Sequence, residues 1–71
     1  MVTVEQLKTE INQYKKLHPN YRDGQAVFNY IDSKYGIARE LQFNHNIDCF
    51  YNDSRINEFI KKAVELINNK L

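Results

Sequence analysis

The stretch that decides the fold is "SRINEFIKKAVELINNKL", residues 54–71. Ile56, Phe59, Ile60, Ala63, Val64, Ile67 and Leu71 recur there at spacings of three and four, which puts them on one face of an α-helix. Asp53 or Ser54 stands at the cap position, and Lys70 near the end complements the helix dipole. Glu58 and Lys62 form an i,i+4 pair in the favourable order, worth a few tenths of a kcal/mol. The spacing predicts a helix over about 54–70.

Upstream lies "FNHNIDCFYND", which lacks a helical period and is rich in Asn and Asp, side chains that compete with helical backbone bonds. It reads as an ordered connection over 43–53. Phe43, Ile47, Phe50 and Tyr51 are too apolar for a solvated loop, so they are expected to pack over the helices. Before it, "IARELQ" makes a short helix over about 37–42, with Ile37, Ala38 and Leu41 inward.

The segment "NYRDGQAVFNYIDSKYG" reads as a helix over about 21–35, capped by Asn20 or Asp23 and stopped by Gly36. Tyr21, Gly24, Val27 or Phe28, Ile31 and Tyr35 trace its inner side. Gly24 in an early turn costs about 1 kcal/mol against alanine, so it is expected to permit a close backbone approach. At the N-terminus, Thr3 and Gln6 have capping-box spacing, Val2 can staple onto Leu7, and Val4, Leu7, Ile11, Tyr14, Leu17 and His18 form a stripe. Pro19 ends this helix, which spans about 3–18. No stretch alternates as a strand does, and no linker or repeat divides the chain. The fold class is therefore all-α: a small bundle of three main helices plus a short one, in one domain over 1–71.

Composition narrows the function classes. Ten Lys plus Arg against nine Asp plus Glu leave a net charge of +1, so no overall field draws the chain to nucleic acid or an anionic membrane. Apolar residues make up 42% and charged residues 27%, the balance of an ordered globular chain. Cys49 is the only cysteine, which excludes an internal disulfide and suits a reducing cytoplasm. The N-terminus has neither the basic start nor the apolar core of a secretory signal, and no run reaches the roughly 18 apolar residues of a membrane span. A cytoplasmic location is expected.

Two stretches taken together, "YRDGQAVFNYI" at 21–31 and "IDCFYNDSRINEFI" at 47–60, carry a resemblance. The positions are Arg22, Gly24, Gln25, Ala26, Phe28 and Asn29, then Asp48, Phe50, Tyr51, Asp53, Ser54, Arg55 and Ile56. They resemble a group of small bacterial and phage-encoded proteins with an R-x-G-Q-A-x-x-N segment followed by D-x-F-Y-x-D-S-R-I. Cys49 and Gly36 stand where such proteins carry proline, and Asn44, His45 and Asn46 replace a glycine-containing turn. Those departures bear on loop rigidity more than on fold. The resemblance implies a small helical domain, without catalytic residues, in a phage or mobile-element setting.

Chemical constellations are sparse. Asp48, Asn52 and Asp53 fail the EF-hand pattern, because Phe50 takes the third position and the sixth-position glycine is missing. His45, Asp48 and Cys49 lack a metal-site spacing, and Cys49 with His45 lacks an orienting third group, so neither a metal nor a cofactor is expected. Arg22, Gln25 and Asn29 share one side of the second helix. They could meet Asp48, Asp53 or Arg55 in an internal network, or face outward as a recognition surface. Tyr30, Tyr35 and Tyr51 are candidate interface anchors, since Tyr combines apolar area with a polar handle.

The expectation that follows is a non-enzymatic module that binds a protein partner or a second copy of itself. Its candidate binding residues are Arg22, Gln25, Asn29, Tyr30, Tyr35, Asp48, Tyr51 and Arg55. A small helix-turn-helix DNA regulator, reading bases with Arg39, Gln42 and Asn44, is the alternative, and an enzyme with an unrecognised site is the third reading.

Overall fold

A computed structural model describes residues 1–50 and 53–70. Its elements are α1 (Val4–Leu17), α2 (Asp23–Tyr35), α3 (Ala38–Asn44), a 3-10 turn (Asp53–Arg55) and α4 (Ile56–Lys70), with no strand among the described residues. The all-α class is therefore correct. Tyr51, Asn52 and Leu71, which the sequence reading assigns to the connection and the last apolar face, lie outside the described residues.

Local chemistry sets the boundaries. Thr3 is extended, and its Oγ1 accepts the Gln6 N–H at 3.1 Å, which starts α1. After Leu17 the chain turns through Pro19 and Asn20, closed by the Tyr21 N–H on His18 O at 3.0 Å. Gly36, at φ 69°, ends α2 in the left-handed conformation, and its N–H bonds both Ile31 O and Asp32 O. At the end of α3 Asn46 takes φ 55°, which Asn tolerates better than most residues, and the Ile47 N–H closes onto Leu41 O.

Leu7, Ile11, Val27, Ile31, Ile37, Leu41, Phe59 and Ile60 are buried together in a core to which α1, α2, α3 and α4 all contribute. Cys49 and Ile47 from the connection belong to it, and Phe50 packs edge-on against Phe28 with ring centroids 5.4 Å apart. At the other end, Asn68 of α4 holds Val2 by both backbone groups: Val2 N–H donates to Asn68 Oδ1 at 2.9 Å, and Asn68 Nδ2 donates to Val2 O at 3.0 Å.

Several local expectations need correction. The short helix is Ala38–Asn44 rather than 37–42, so Phe43 lies on α3 and not in a loop folded over the core. It is two residues past the buried Leu41, roughly 200° round the helix, and is 76% exposed. Leu17 is 78% exposed, because the stripe through Leu7 and Ile11 continues to His18 and leaves Leu17 one position off it. Helix α4 begins at Ile56, after a 3-10 turn rather than at residue 54. That turn brings Arg55 Nε to Glu58 Oε1 at 2.6 Å, so Glu58 pairs with Arg55 and Lys62 pairs with Glu65 instead of with Glu58. Helix α2 starts at Asp23 with Arg22 as its boundary residue, neither Asn20 nor Asp23 serving as the cap. Its capping carboxylate comes from far along the chain.

Candidate functional site

The first turn of α2 is where residues 22 and 24 meet residues 49, 50 and 53. The Gly24 N–H donates to Asp53 Oδ1 at 3.1 Å, so Asp53 caps a helix that starts thirty residues earlier in the chain. The Cys49 thiol donates to Gly24 O at 3.5 Å, and the Arg22 guanidinium reaches Phe50 O. Asp48 Oδ1 accepts the Phe50 N–H at 2.9 Å and fixes the turn that presents both groups. The fit depends on glycine: a Cβ at residue 24 would lie 2.5 Å from Asp53 Oδ1, 3.1 Å from the Cys49 carbonyl carbon, and closer still to the Cys49 oxygen. Gly24 thus permits the close approach its position suggested.

The eight residues singled out from the sequence divide accordingly. Arg22 and Asp48 hold the connection in place. Gln25 turns back onto its own helix end, its Oε1 accepting the Arg22 N–H at 3.4 Å. Asn29 is half-buried on α2. Arg55 engages Glu58, which together with the weaker field of Asp48 raises its pKa further. Among the described residues no hydrogen bond or ion pair joins Gln25, Asn29 or Arg55 to Asp48 or Asp53. Tyr51 lies outside the described residues.

Tyr30 and Tyr35 are half-buried, and both hydroxyls donate to Glu10 Oε1, at 2.6 and 3.3 Å. The Tyr30 bond, with Lys34 3.6 Å away, holds the Glu10 carboxyl below its usual range against the opposing effect of burial. Burial and the Glu10 carboxylate push the Tyr30 phenol up to about 12, and the same causes raise Tyr35. The two tyrosines are thereby engaged in docking α2 onto α1.

Burial, with the charges of Asp48 and Asp53, pushes the Cys49 thiol up to about 12. Cys49 is fully enclosed, and burial disfavours the thiolate that nucleophilic attack and metal binding require. His45 is exposed at the end of α3. Among the described residues no group of three His, Cys, Asp or Glu side chains is placed to hold a metal ion. No helix among them is long and apolar enough to cross a membrane.

Sequence reasoning missed the concave feature on the outer side of α2 and α3. Phe28, Phe43 and Phe50 line a cleft of about 290 Å³ whose rim is Arg39 and Gln42. Phe28 is nearly buried, Phe50 is half-buried and Phe43 stands exposed beside them. Arg39 and Phe43 are four residues apart on α3, so they share one side of that helix. The available signal was a continuous "IARELQFN", in which extending the helix by one turn puts Phe43 beside Arg39. A second cleft, of about 260 Å³ over Ile11, Val27 and Ile60, is bordered by the Lys15–Asp23 ion pair. Comparison of the chain with protein-family models, with curated proteins and with solved structures found no match.

Proposed function

We propose that this chain is a non-enzymatic, cytoplasmic protein-binding module whose recognition surface is the Phe28, Phe43 and Phe50 cleft. The observation that carries the reading is the exposure of Phe43 beside the half-buried Phe50. Single exposed apolar residues are ordinary, but three clustered aromatic rings with a polar rim have the composition of an interface core. Covering Phe43 contributes about 2–3 kcal/mol gross, enough to anchor a modest complex. The enclosed Cys49 thiol and the polar groups around Gly24, committed to the fold, also favour binding over catalysis. The resemblance to small bacterial and phage-encoded proteins supports a phage or mobile-element setting.

The test is affinity capture from a bacterial host with the native chain and with Phe43→Ser, each captured species then being remade pure and rebound. The reading expects a purified protein that binds the native chain and binds the variant at least tenfold more weakly. A captured protein that binds both forms equally refutes the cleft. Purified chain that instead shifts duplex DNA in a salt-dependent way, with loss in Arg39→Ala, would establish the helix-turn-helix alternative.

A further inference from the structure

We infer that the occupant of the aromatic cleft is a short acidic peptide segment, one apolar side chain seated among Phe28, Phe43 and Phe50 with flanking carboxylates on Arg39. The inference rests on reading the cleft as a peptide site, and it adds the partner's chemistry.

Charge complementarity argues for it. Arg39 is exposed on the rim and, like Lys8, Lys16, Arg22 and Lys61, has no ion-pair partner among the described residues; of these cations it is the one that lines the cleft. Among the described residues the cleft walls are three aromatic rings, one guanidinium and one amide, with no carboxylate. Glu40, the acidic neighbour on α3, is directed to Lys70, and Asp48 is held by the Phe50 amide. The Arg22 guanidinium, bonded to Phe50 O, adds a second positive charge next to Phe50. A guanidinium beside aromatic rings matches a carboxylate flanking an apolar side chain.

Size and field favour an inserted peptide side chain over other occupants. About 290 Å³ is at the low end for a small-molecule pocket and suits one inserted side chain. A nucleic-acid strand requires several cations along its backbone, and among the described residues the cleft lining holds one, Arg39.

The experiment is a titration of isotope-labelled full chain, followed by amide NMR, with three capped hexapeptides: Asp-Glu-Phe-Leu-Asp-Glu, Asn-Gln-Phe-Leu-Asn-Gln and Lys-Lys-Phe-Leu-Lys-Lys. The acidic peptide is expected to bind with the largest shifts at residues 39–43 and 50, and at least about fivefold more tightly than the neutral one. Arg39→Glu should reverse the order, favouring the lysine peptide. Equal binding of all three peptides at the cleft overturns the acidic preference and leaves the cleft as a peptide site. Shifts located elsewhere, or none with any peptide at millimolar concentration, overturn the cleft itself. Binding of a thymidine hexanucleotide more tightly than the acidic peptide overturns the peptide in favour of nucleic acid. Phe43→Ser and Arg39→Glu alter exposed side chains, and an unchanged amide spectrum elsewhere checks that both variants fold.

Discussion

Replacing Gly24 by alanine tests the joint between α2 and the connection most directly. In an exposed helical position this change stabilises by about 1 kcal/mol, because alanine is the better helix former. Here the new methyl would sit 2.5 Å from Asp53 Oδ1 and inside the contact distance of the Cys49 oxygen. Backbone on one side and a capping carboxylate on the other leave no flexible end to move aside. Overpacking of this kind costs about 1–3 kcal/mol, and loss of the Asp53 cap on the Gly24 N–H adds about 1 kcal/mol. Subtracting the propensity gain leaves a net destabilisation of about 2 kcal/mol, with the sign opposite to that of an ordinary helical glycine. For a chain of 71 residues this lowers Tm by roughly 8–16 °C. Urea unfolding followed by circular dichroism at both ends of a cycle with Asp53→Ala supplies the measurement. The double variant should lose less than the sum of the single ones, because displacing the loop already breaks the cap. Equal or higher stability in Gly24→Ala, or strict additivity with Asp53→Ala, refutes the joint.

Three further substitutions probe separate parts of the fold. Tyr30→Phe removes the principal bond to Glu10 and should cost about 1 kcal/mol at neutral pH in the same unfolding assay. Because the folded Glu10 pKa is depressed, its contribution is complete above about pH 4.5 and lost as pH falls through the folded value. The Tyr30 pKa is raised to about 12, so its contribution holds below pH 10 and is lost as pH rises toward 12; a Tyr30→Phe deficit that does not shrink in acid contradicts this. Asn68→Ala removes both bonds to Val2 and should cost about 1–2 kcal/mol, against less than about 0.5 kcal/mol for the exposed Asn69→Ala, with equal denaturation midpoints counting against the tether. Phe43→Ser should change stability by less than about 0.5 kcal/mol, and a larger loss by calorimetry would mean that Phe43 supports the core.

The sequence carries the long helices clearly because their apolar residues repeat over several turns. The expected 3–18, 21–35 and 54–70 correspond to Val4–Leu17, Asp23–Tyr35 and Ile56–Lys70. Helix α3 has seven residues, about two turns, too few for a period to separate Phe43 from the Asn-rich connection after it. Asp53 looks like a local cap from its position before α4, whereas its carboxylate serves α2, a pairing set by topology and invisible to local spacing. Glu10 has no sequence signature of its own: only the packing of α1 on α2 brings Tyr30 and Tyr35 to it. Arg22 and Asp48 tie down the connection through backbone atoms of Phe50, and among the described residues neither makes the side-chain pair expected of it, a difference that residue types alone do not reveal.

That distinction separates folding from recognition in this chain. Arg22, Gly24, Cys49 and Asp53 converge on one helical turn, and a change at any of them alters the connection before it could alter a partner contact. A binding defect at those positions would therefore be uninformative about recognition. Phe43 and Arg39 extend from a helix whose opposite side, Ala38 and Leu41, is fully buried, and neither side chain contributes to the core. The cleft rests on Phe28, itself packed against Phe59 of α4 with centroids 5.9 Å apart. An aromatic side chain presented on a helix anchored in this way loses little conformational freedom when a partner covers it, so more of its apolar area appears as affinity than the same residue on a free loop could provide.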